Sequence, residues 1–94
     1  MKVLSIIIVN WNAGHLLKDC LESICRNILK TDCEIFVVDN ASTDDSLEVV
    51  RKEFPQVKLL ENKSNLGFAK ANNQAIGKSS GRYILLLNPD TIVQ

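Results

Sequence analysis

Carboxylate side chains follow two of the most apolar runs in this 94-residue sequence. Asp39 comes directly after residues 35–38, and Asp90 comes shortly after residues 83–87. A carboxylate such as Asp39 accepts a hydrogen bond from a donor like the imide N–H of a uracil or thymine ring. An oxygen ligand such as Asp90 is what a hard divalent cation needs when it also bridges two phosphates. Together the two residues predict a site for a nucleotide and a cation.

Neutral polar residues elsewhere in the chain suit such a site, and each also has a plainer explanation. Trp11 offers an aromatic face for a base, although a lone tryptophan is equally often part of a core. Gly67 permits either a close approach of the backbone to a ligand or a tight helix start. Asn65, Asn72 and Asn73 supply amide donors and acceptors, and a surface helix tolerates the same residues. Their positions in the fold must therefore decide between the two explanations.

The elements that must position these residues alternate along the chain. Short β-rich runs predict four strands, over residues 4–9, 34–38, 57–60 and 83–87. Apolar residues at helical spacing predict three helices: 14–28, from Ser42 or Thr43 to the residue before Pro55, and from about Gly67 to 77–81. This alternation predicts an α/β fold, a Rossmann-like parallel sheet with flanking helices and right-handed crossovers.

Each helix is expected to bury one apolar stripe against the sheet. The three stripes consist of Leu17, Cys20, Leu21, Ile24 and Ile28, then Leu47, Val50 and Phe54, then Phe68, Ala71, Ala75 and Ile76. The three cysteines show no C-x-x-C spacing and are odd in number, which indicates reduced thiols rather than a disulfide framework or a zinc site.

Ligands of open α/β sheets bind beyond the carboxyl ends of the strands. Polar side chains are concentrated at those ends here, in residues 10–12, 39–42, 62–65 and 88–90. Asparagine and aspartate are common in turns, which explains any one of these segments but not their one-sided distribution. The sequence therefore predicts a binding site along this edge of the sheet.

The composition excludes several other functions. Lysine plus arginine number 11 and aspartate plus glutamate number 11, so the formal net charge is zero and nothing indicates binding to nucleic acid. The apolar run at residues 6–9 is far shorter than the roughly 20 residues that span a bilayer. No signal-peptide cleavage pattern follows it. We therefore expect a cytoplasmic protein, with no membrane span in this chain.

Four stretches, in order, resemble the family 2 glycosyltransferases of the GT-A fold. They are Ser5–Asn12, Val37–Asp44, Asn65–Asn73 and Leu85–Asp90, and the region they define covers nearly the whole chain. Each stretch alone is a weak signal, whereas the ordered set is strong. Within the family, Asn-Leu-Gly-Phe and Leu-Asn-Pro-Asp are most similar to rhamnosyltransferase-type members of bacterial cell-surface polysaccharide synthesis.

The resemblance implies particular roles at the predicted edge. Asp39 would hydrogen-bond the pyrimidine ring. The other residues implied to lie along the nucleoside and the donor are Val9, Asn10, Trp11, Ser42, Asp44, Asn65, Gly67 and Asn73. Asn88 and Asp90 fall on the family's Asp-x-Asp motif, which binds ribose and a Mg²⁺ or Mn²⁺ on the diphosphate. Because Asn88 replaces the first aspartate, one negative charge is missing and metal dependence is less certain.

The family reaction moves a sugar from a nucleoside diphosphate to an acceptor hydroxyl, usually with inversion. The resemblance implies a UDP- or dTDP-linked donor and a saccharide or lipid-linked acceptor, with the full-length protein at the inner face of the membrane. The family's general base lies well downstream of Asp-x-Asp, so we expect it beyond Gln94. Residues 1–94 are therefore predicted to be the N-terminal, donor-binding part of a longer domain, inactive alone.

Two other interpretations compete with a glycosyltransferase. A dinucleotide-binding domain shares the βαβ pattern, but it needs Gly-x-Gly-x-x-Gly after the first strand, where this chain has Asn10–Gly14. A non-catalytic nucleotide-binding or interaction module remains open. The last strand, residues 83–87, would present an open edge, so self-association through that edge is also expected.

Overall fold

The structure of the protein is a computed structural model that describes residues 2–28 and 32–93. Its elements are, in chain order, β1 (Leu4–Asn10), α1 (His15–Asn27), β2 (Cys33–Asn40), α2 (Ser46–Glu53), β3 (Lys58–Asn62), α3 (Phe68–Ile76) and β4 (Tyr83–Leu87). All seven predicted elements are present in the predicted order. The α/β fold class is therefore confirmed.

The four strands form one parallel sheet with the order β3-β2-β1-β4. Asn10 of β1 pairs with Asp39 of β2, and Asn40 of β2 pairs with Asn62 of β3. On the other side of β1, Leu87 of β4 pairs with the residue two positions before Asn10. This register brings the polar carboxyl ends of all four strands to one edge, as the sequence predicts.

Side chains alternate between the two faces of the sheet, and each face has its own core. Ile6, Ile8 and Val37 pack with the buried stripes of α1 and α2 on one face. On the other face, Ile7 packs in a cluster that includes the alanines of α3. Because the two central strands are covered on both faces, they are almost continuously apolar.

Two details of the helices differ from the sequence prediction. The helix α2 begins at Ser46, so Ser42 and Thr43 are not its cap. They stay in the loop, where Ser42 bonds the end of β2 instead. In α3, Phe68 is 55% exposed and Ile76 is 37% exposed, so neither belongs to the buried stripe as predicted. The physical reason is that the small residue Ala75 and its alanine neighbour one turn earlier bring α3 close to β1 and β2, which leaves the flanking side chains beyond those strands.

A buried charge at the opposite edge of the sheet was not predicted. Glu34 is the second residue of β2, and its side chain is only 2% exposed. Its carboxylate accepts hydrogen bonds from Lys58 Nζ (2.8 Å), Ser5 Oγ (2.6 Å) and the Ser80 backbone N–H (2.6 Å). The Gly81 N–H donates to Ser5 Oγ at 2.8 Å. Together these hydrogen bonds attach the end of the loop between α3 and β4 to β1 and β2. Burial acts to raise the pKa of Glu34, but these donors outweigh it and lower the pKa to about 2.

Three further observations concern the edge strand, the cysteines and the length of the described helices. The strand β4 lies at the edge of the sheet, and four of its five side chains are exposed, including Ile84 and Leu86. The three cysteines are free thiols, as predicted. Among the described helices, none combines the length and apolar character needed to cross a bilayer.

Candidate functional site

A cluster of three side chains joins the carboxyl ends of β1 and β2. Asn10 Nδ2 donates to Asp39 Oδ1 at 2.8 Å and to Ser42 Oγ at 3.1 Å. Ser42 also turns back on Asp39, because its hydroxyl donates to Oδ1 at 2.6 Å and its backbone N–H donates to Oδ2 at 2.8 Å. Asn10 is 0% exposed and Asp39 is 1% exposed. Three predicted site residues therefore form one mutually bonded unit, in which Asn10 and Asp39 are buried and Ser42 is partly buried.

Asn12 fastens the two neighbouring loops to each other above this unit. Its Oδ1 accepts hydrogen bonds from the backbone N–H groups of Thr43 (2.7 Å) and Asp44 (3.2 Å), and its own N–H donates to Ser42 Oγ at 2.9 Å. Asn12 and Ala41 have positive φ angles of 50° and 63°. A non-glycine residue in this region costs on the order of 1 kcal/mol. The left-handed turn at Ala41 directly precedes the Ser42 N–H that bonds Asp39.

Asp44 has a structural role that the sequence did not predict. Its Oδ2 accepts from the Gly14 N–H at 3.0 Å, and its Oδ1 accepts from both the backbone and the hydroxyl of Ser46. Although burial acts to raise the pKa of Asp44, the hydrogen bonds from Ser46 and Gly14 hold it below its usual value. This carboxylate therefore joins the first turns of α1 and α2, and it lies in the loop where it was expected.

A second network of amides positions the loop between β3 and α3. Asn62 and Gln74 exchange two hydrogen bonds, at 2.8 and 2.9 Å. Asn62 also donates to Asn40 Oδ1 at 3.0 Å, and Asn40 Nδ2 donates to the Gly67 carbonyl at 3.3 Å. Asn65 Oδ1 accepts from the Gly67 N–H at 2.8 Å, with Gly67 at a φ of 83°. Two predicted site residues, Asn65 and Gly67, are thus held together at this end of the sheet.

The remaining predicted residues of the donor side differ in exposure. Trp11 is 59% exposed, so the alternative that it belongs to the core is wrong. Val9 is half-buried and Asn73 is exposed. Asn72 is 4% exposed, donates to the Phe68 carbonyl at 3.1 Å, and has an Oδ1 without a hydrogen-bond partner in the described chain.

Asn88 and Asp90 lie in a turn after β4, and both are exposed. The Thr91 N–H donates to the Asn88 carbonyl at 3.0 Å, and Val93 N–H donates to Ser23 Oγ of α1 at 3.0 Å. The Cys20 thiol of α1 lies 3.9 Å from the Asn88 carbonyl oxygen. Burial, and secondarily the charge of Asp90, raise the pKa of Cys20 to about 11, so this thiol is protonated at neutral pH.

The chemistry of this turn fits a hard divalent cation only in part. Asp90 supplies one carboxylate and Asn88 one amide oxygen, which are suitable ligand types for Mg²⁺ or Mn²⁺. However, no group of three or more histidine, cysteine, aspartate or glutamate side chains that could hold a metal occurs within residues 2–28 and 32–93. A cation bound here would therefore take most of its ligands from phosphate oxygens and water.

The structure brings the predicted residues together in three places along one edge rather than in one pocket. These are the Asn10–Asp39–Ser42 unit, the loop around Gly67, and the exposed turn that contains Asp90. The individually predicted site residues did not include the amides that fasten the loops, namely Asn12, Asn40, Asn62 and Gln74, although the first three lie in the polar segments predicted for this edge. Their only signal is the register of the parallel strands, which places the strand ends side by side.

Comparisons with known proteins identify the family of this chain. The family model described as glycosyl transferase family 2 matches residues 5–94. This match covers most of the chain, and the chain belongs to glycosyl transferase family 2. The interpretation as a nicotinamide- or flavin-binding domain is therefore wrong.

Individual relatives support the same family. The poly(ribitol-phosphate) beta-glucosyltransferase of Bacillus spizizenii is 36% identical over an alignment of 98 positions, which covers 99% of this chain and 15% of that protein. S. aureus TarS 1-349 in complex with UDP-GlcNAc is 29% identical with a TM-score of 0.86, over 96% of this chain and 27% of that one. The mannosyltransferase PcManGT of Pyrobaculum calidifontis, in complex with GDP-Man and Mn2+, is 26% identical with a TM-score of 0.86, over 95% and 28%. The chain thus spans less than a third of each of these relatives, and the GT-A fold is confirmed.

Proposed function

We propose that this chain binds the donor of a glycosyltransferase, a UDP- or dTDP-linked sugar, whose glycosyl group is transferred to an acceptor hydroxyl with inversion. The observation that carries the proposal is the Asn10–Asp39–Ser42 unit at the carboxyl edge of the sheet. It holds a buried carboxylate with neutral donors only, because none of the ion pairs in the described chain includes Asp39. Arg51 acts on Asp39 electrostatically but does not pair with it directly. A buried carboxylate without a directly paired cation is costly for stability, which favours a functional reason for its presence.

The base of the donor is proposed to bind between the first two loops. Asp39 would accept the imide N–H of uracil or thymine, and the exposed indole of Trp11 would contact the face of the ring. Val9 would line the same pocket. Asn65, Gly67 and Asn73 would lie along the rest of the donor.

The diphosphate is proposed to lie toward the turn after β4. Asn88 would bond the ribose and Asp90 would hold a Mg²⁺ or Mn²⁺, which supplies electrostatic stabilisation for the charge of the leaving diphosphate. The presence of Mn2+ in the complex of the mannosyltransferase relative supports this assignment.

The rest of the activity is proposed from the relatives. A poly(ribitol-phosphate) glucosyltransferase among them supports a saccharide or lipid-linked acceptor in cell-surface glycan synthesis, at the cytoplasmic face of the membrane. The base that takes the acceptor proton is proposed to lie after residue 94, which makes residues 1–94 the donor-binding part of the domain.

Titration of the chain with UDP and dTDP in the presence of Mn²⁺, followed by backbone amide chemical shifts, tests the proposal. We expect shifts in the three site regions, loss of binding in Asp39→Ala, and weaker diphosphate binding in Asp90→Ala. Asp19→Ala, an exposed change on α1, is the matched control and should bind normally. Unchanged binding in both site variants would refute the assignment of these residues.

A further inference from the structure

The lone pairs of the Asp39 carboxylate are unequally occupied. Oδ1 accepts two hydrogen bonds, from Asn10 Nδ2 at 2.8 Å and from Ser42 Oγ at 2.6 Å. Oδ2 accepts one, from the Ser42 backbone N–H at 2.8 Å. Each carboxylate oxygen has two lone-pair sites. The protein therefore saturates Oδ1 and leaves a single acceptor site on Oδ2.

We propose that Asn10 is a specificity-determining residue that restricts the donor base to one with a single imide N–H, uracil or thymine. This inference rests on the proposed function. The edge of guanine presents two neighbouring donors, the ring N–H and the amino group, which pair with both oxygens of a carboxylate. Because Asn10 occupies Oδ1, guanine would leave one donor unpaired, whereas uracil or thymine leaves none. Cytosine presents an unprotonated ring nitrogen at the same position and offers Oδ2 no imide donor.

Asn10 is placed to act through Asp39, because both hydrogen bonds that its amide donates go to Asp39 and Ser42. Its side chain is 0% exposed, and its own Oδ1 has no hydrogen-bond partner among the described residues. An unpaired buried acceptor lowers stability, and an apolar residue of similar size would avoid that penalty. Asn10 therefore lowers stability and yet donates hydrogen bonds to both Asp39 and Ser42. Its presence is better explained by the arrangement that it imposes on these two side chains than by stability.

The test compares the affinities of UDP and GDP, measured from the fluorescence of Trp11, the only tryptophan. The unaltered chain should prefer UDP by roughly tenfold or more, the effect of one unpaired donor. Asn10→Ala frees a lone pair on Oδ1, so this preference should fall at least about fivefold. Gln56→Glu, on the loop before β3, is the control that should keep the preference. Amide spectra of each variant verify that it is folded.

Asn10→Asp provides a second readout that a purely structural role would not change. At about pH 5 the two adjacent carboxyl groups share a proton, and the protonated group restores a donor to Asp39 Oδ1. At about pH 8 the donor is lost and the two charges repel, so the UDP affinity should fall by about tenfold or more relative to pH 5. Charged residues around Asp39 include its β3 neighbour Glu61, which pairs with Arg51 at 2.5 Å, and Asp44 in the loop that follows β2. Arg51 also interacts electrostatically with Asp39. Carboxyl and guanidinium groups do not ordinarily change charge between these pH values, whereas the terminal phosphate of UDP and the imidazole of a histidine such as His15 ordinarily do. The fall in affinity is therefore measured relative to the unaltered chain at the same pH.

The outcomes separate this inference from the proposed function. If the unaltered chain binds GDP as tightly as UDP, the role of Asn10 is refuted without any variant. An unchanged preference in Asn10→Ala, together with an Asn10→Asp pH profile that matches the profile of the unaltered chain, would also refute it, while UDP binding itself would still support the proposed function. Failure of the unaltered chain to bind any nucleotide would overturn both.

Discussion

The buried carboxylate of Glu34 allows a quantitative prediction about stability. The change is Glu34→Gln, which keeps the shape of the side chain and removes its charge. In the folded chain the pKa of Glu34 is lowered from 4.5 to about 2, since hydrogen bonds from Lys58, Ser5 and Ser80 outweigh the opposing effect of burial. One pKa unit corresponds to about 1.4 kcal/mol. The ionised form is therefore stabilised in the folded state by about 3 kcal/mol.

The sign of the pH dependence follows from the lowered pKa. The folded pKa lies below the unfolded value, so the stabilisation is complete well above pH 4.5 and is lost as the pH falls toward 2. At about pH 3 the unfolded chain has largely bound the proton and the folded chain has not, which removes about 2 kcal/mol. Glutamine retains some hydrogen bonds, so we expect Glu34→Gln to cost about 2–3 kcal/mol at about pH 7 and about 1 kcal/mol or less at about pH 3.

Urea unfolding followed by the fluorescence of Trp11 at the two pH values measures this difference. Glu48→Gln, an exposed change on α2, is the control and should alter the free energy of unfolding by less than about 0.5 kcal/mol. The reasoning is refuted if Glu34→Gln changes stability equally at both pH values. It is also refuted if the loss at neutral pH is no larger than that of Glu48→Gln.

Two further predictions concern the same sheet. A Cβ at Gly81 would lie 2.5 Å from the Ser5 backbone nitrogen, so Gly81→Ala should lower stability by about 1–3 kcal/mol in thermal unfolding. Gly77→Ala, whose Cβ would meet only carbonyl oxygens at 3.6 Å and beyond, should be nearly neutral, and equal losses in both would contradict the close approach. The exposed edge of β4 should pair with a second chain, so light scattering should show concentration-dependent association that Leu86→Lys reduces; a monomer at all concentrations would refute this.

The elements were predictable because their signals are local. The apolar run of residues 6–9 is continuous and the stripe from Leu17 to Ile24 is periodic over a few residues. The stripe and residues 6–8 are buried as expected, and Val9 is half-buried. The position of the site was also predictable, since parallel strands place all their carboxyl ends at one edge. The start of α2 was not predictable, because Ser42 could bond either the first turn of the helix or the end of β2. It bonds Asp39 rather than the first turn of the helix.

The networks that fasten the loops could not be predicted because they join distant parts of the chain. Ser80 and Glu34 are 46 residues apart, and Asn10 and Asp39 are 29 apart. Each such contact depends on the register of two strands, which the sequence alone does not specify. The exposure of Phe68 has a similar cause, because it depends on how far α3 extends across the sheet.

The two ends of the proposed donor site differ in how firmly the protein holds them, and this difference predicts the role of the metal. The side chains at the base end are fixed by hydrogen bonds within the chain, including three on Asp39. The Asp90 side chain makes no hydrogen bond or ion pair with another described residue, and Asn88 beside it carries no charge. A single exposed carboxylate binds a divalent cation weakly, so the phosphates must supply the remaining ligands. We therefore expect Mn²⁺ to raise the affinity for UDP by about tenfold or more while leaving the affinity for uridine unchanged. Calorimetric titration with and without Mn²⁺ measures both, with Asp90→Ala abolishing the metal effect. An equal gain for uridine would show that the cation acts on the protein itself rather than on the diphosphate.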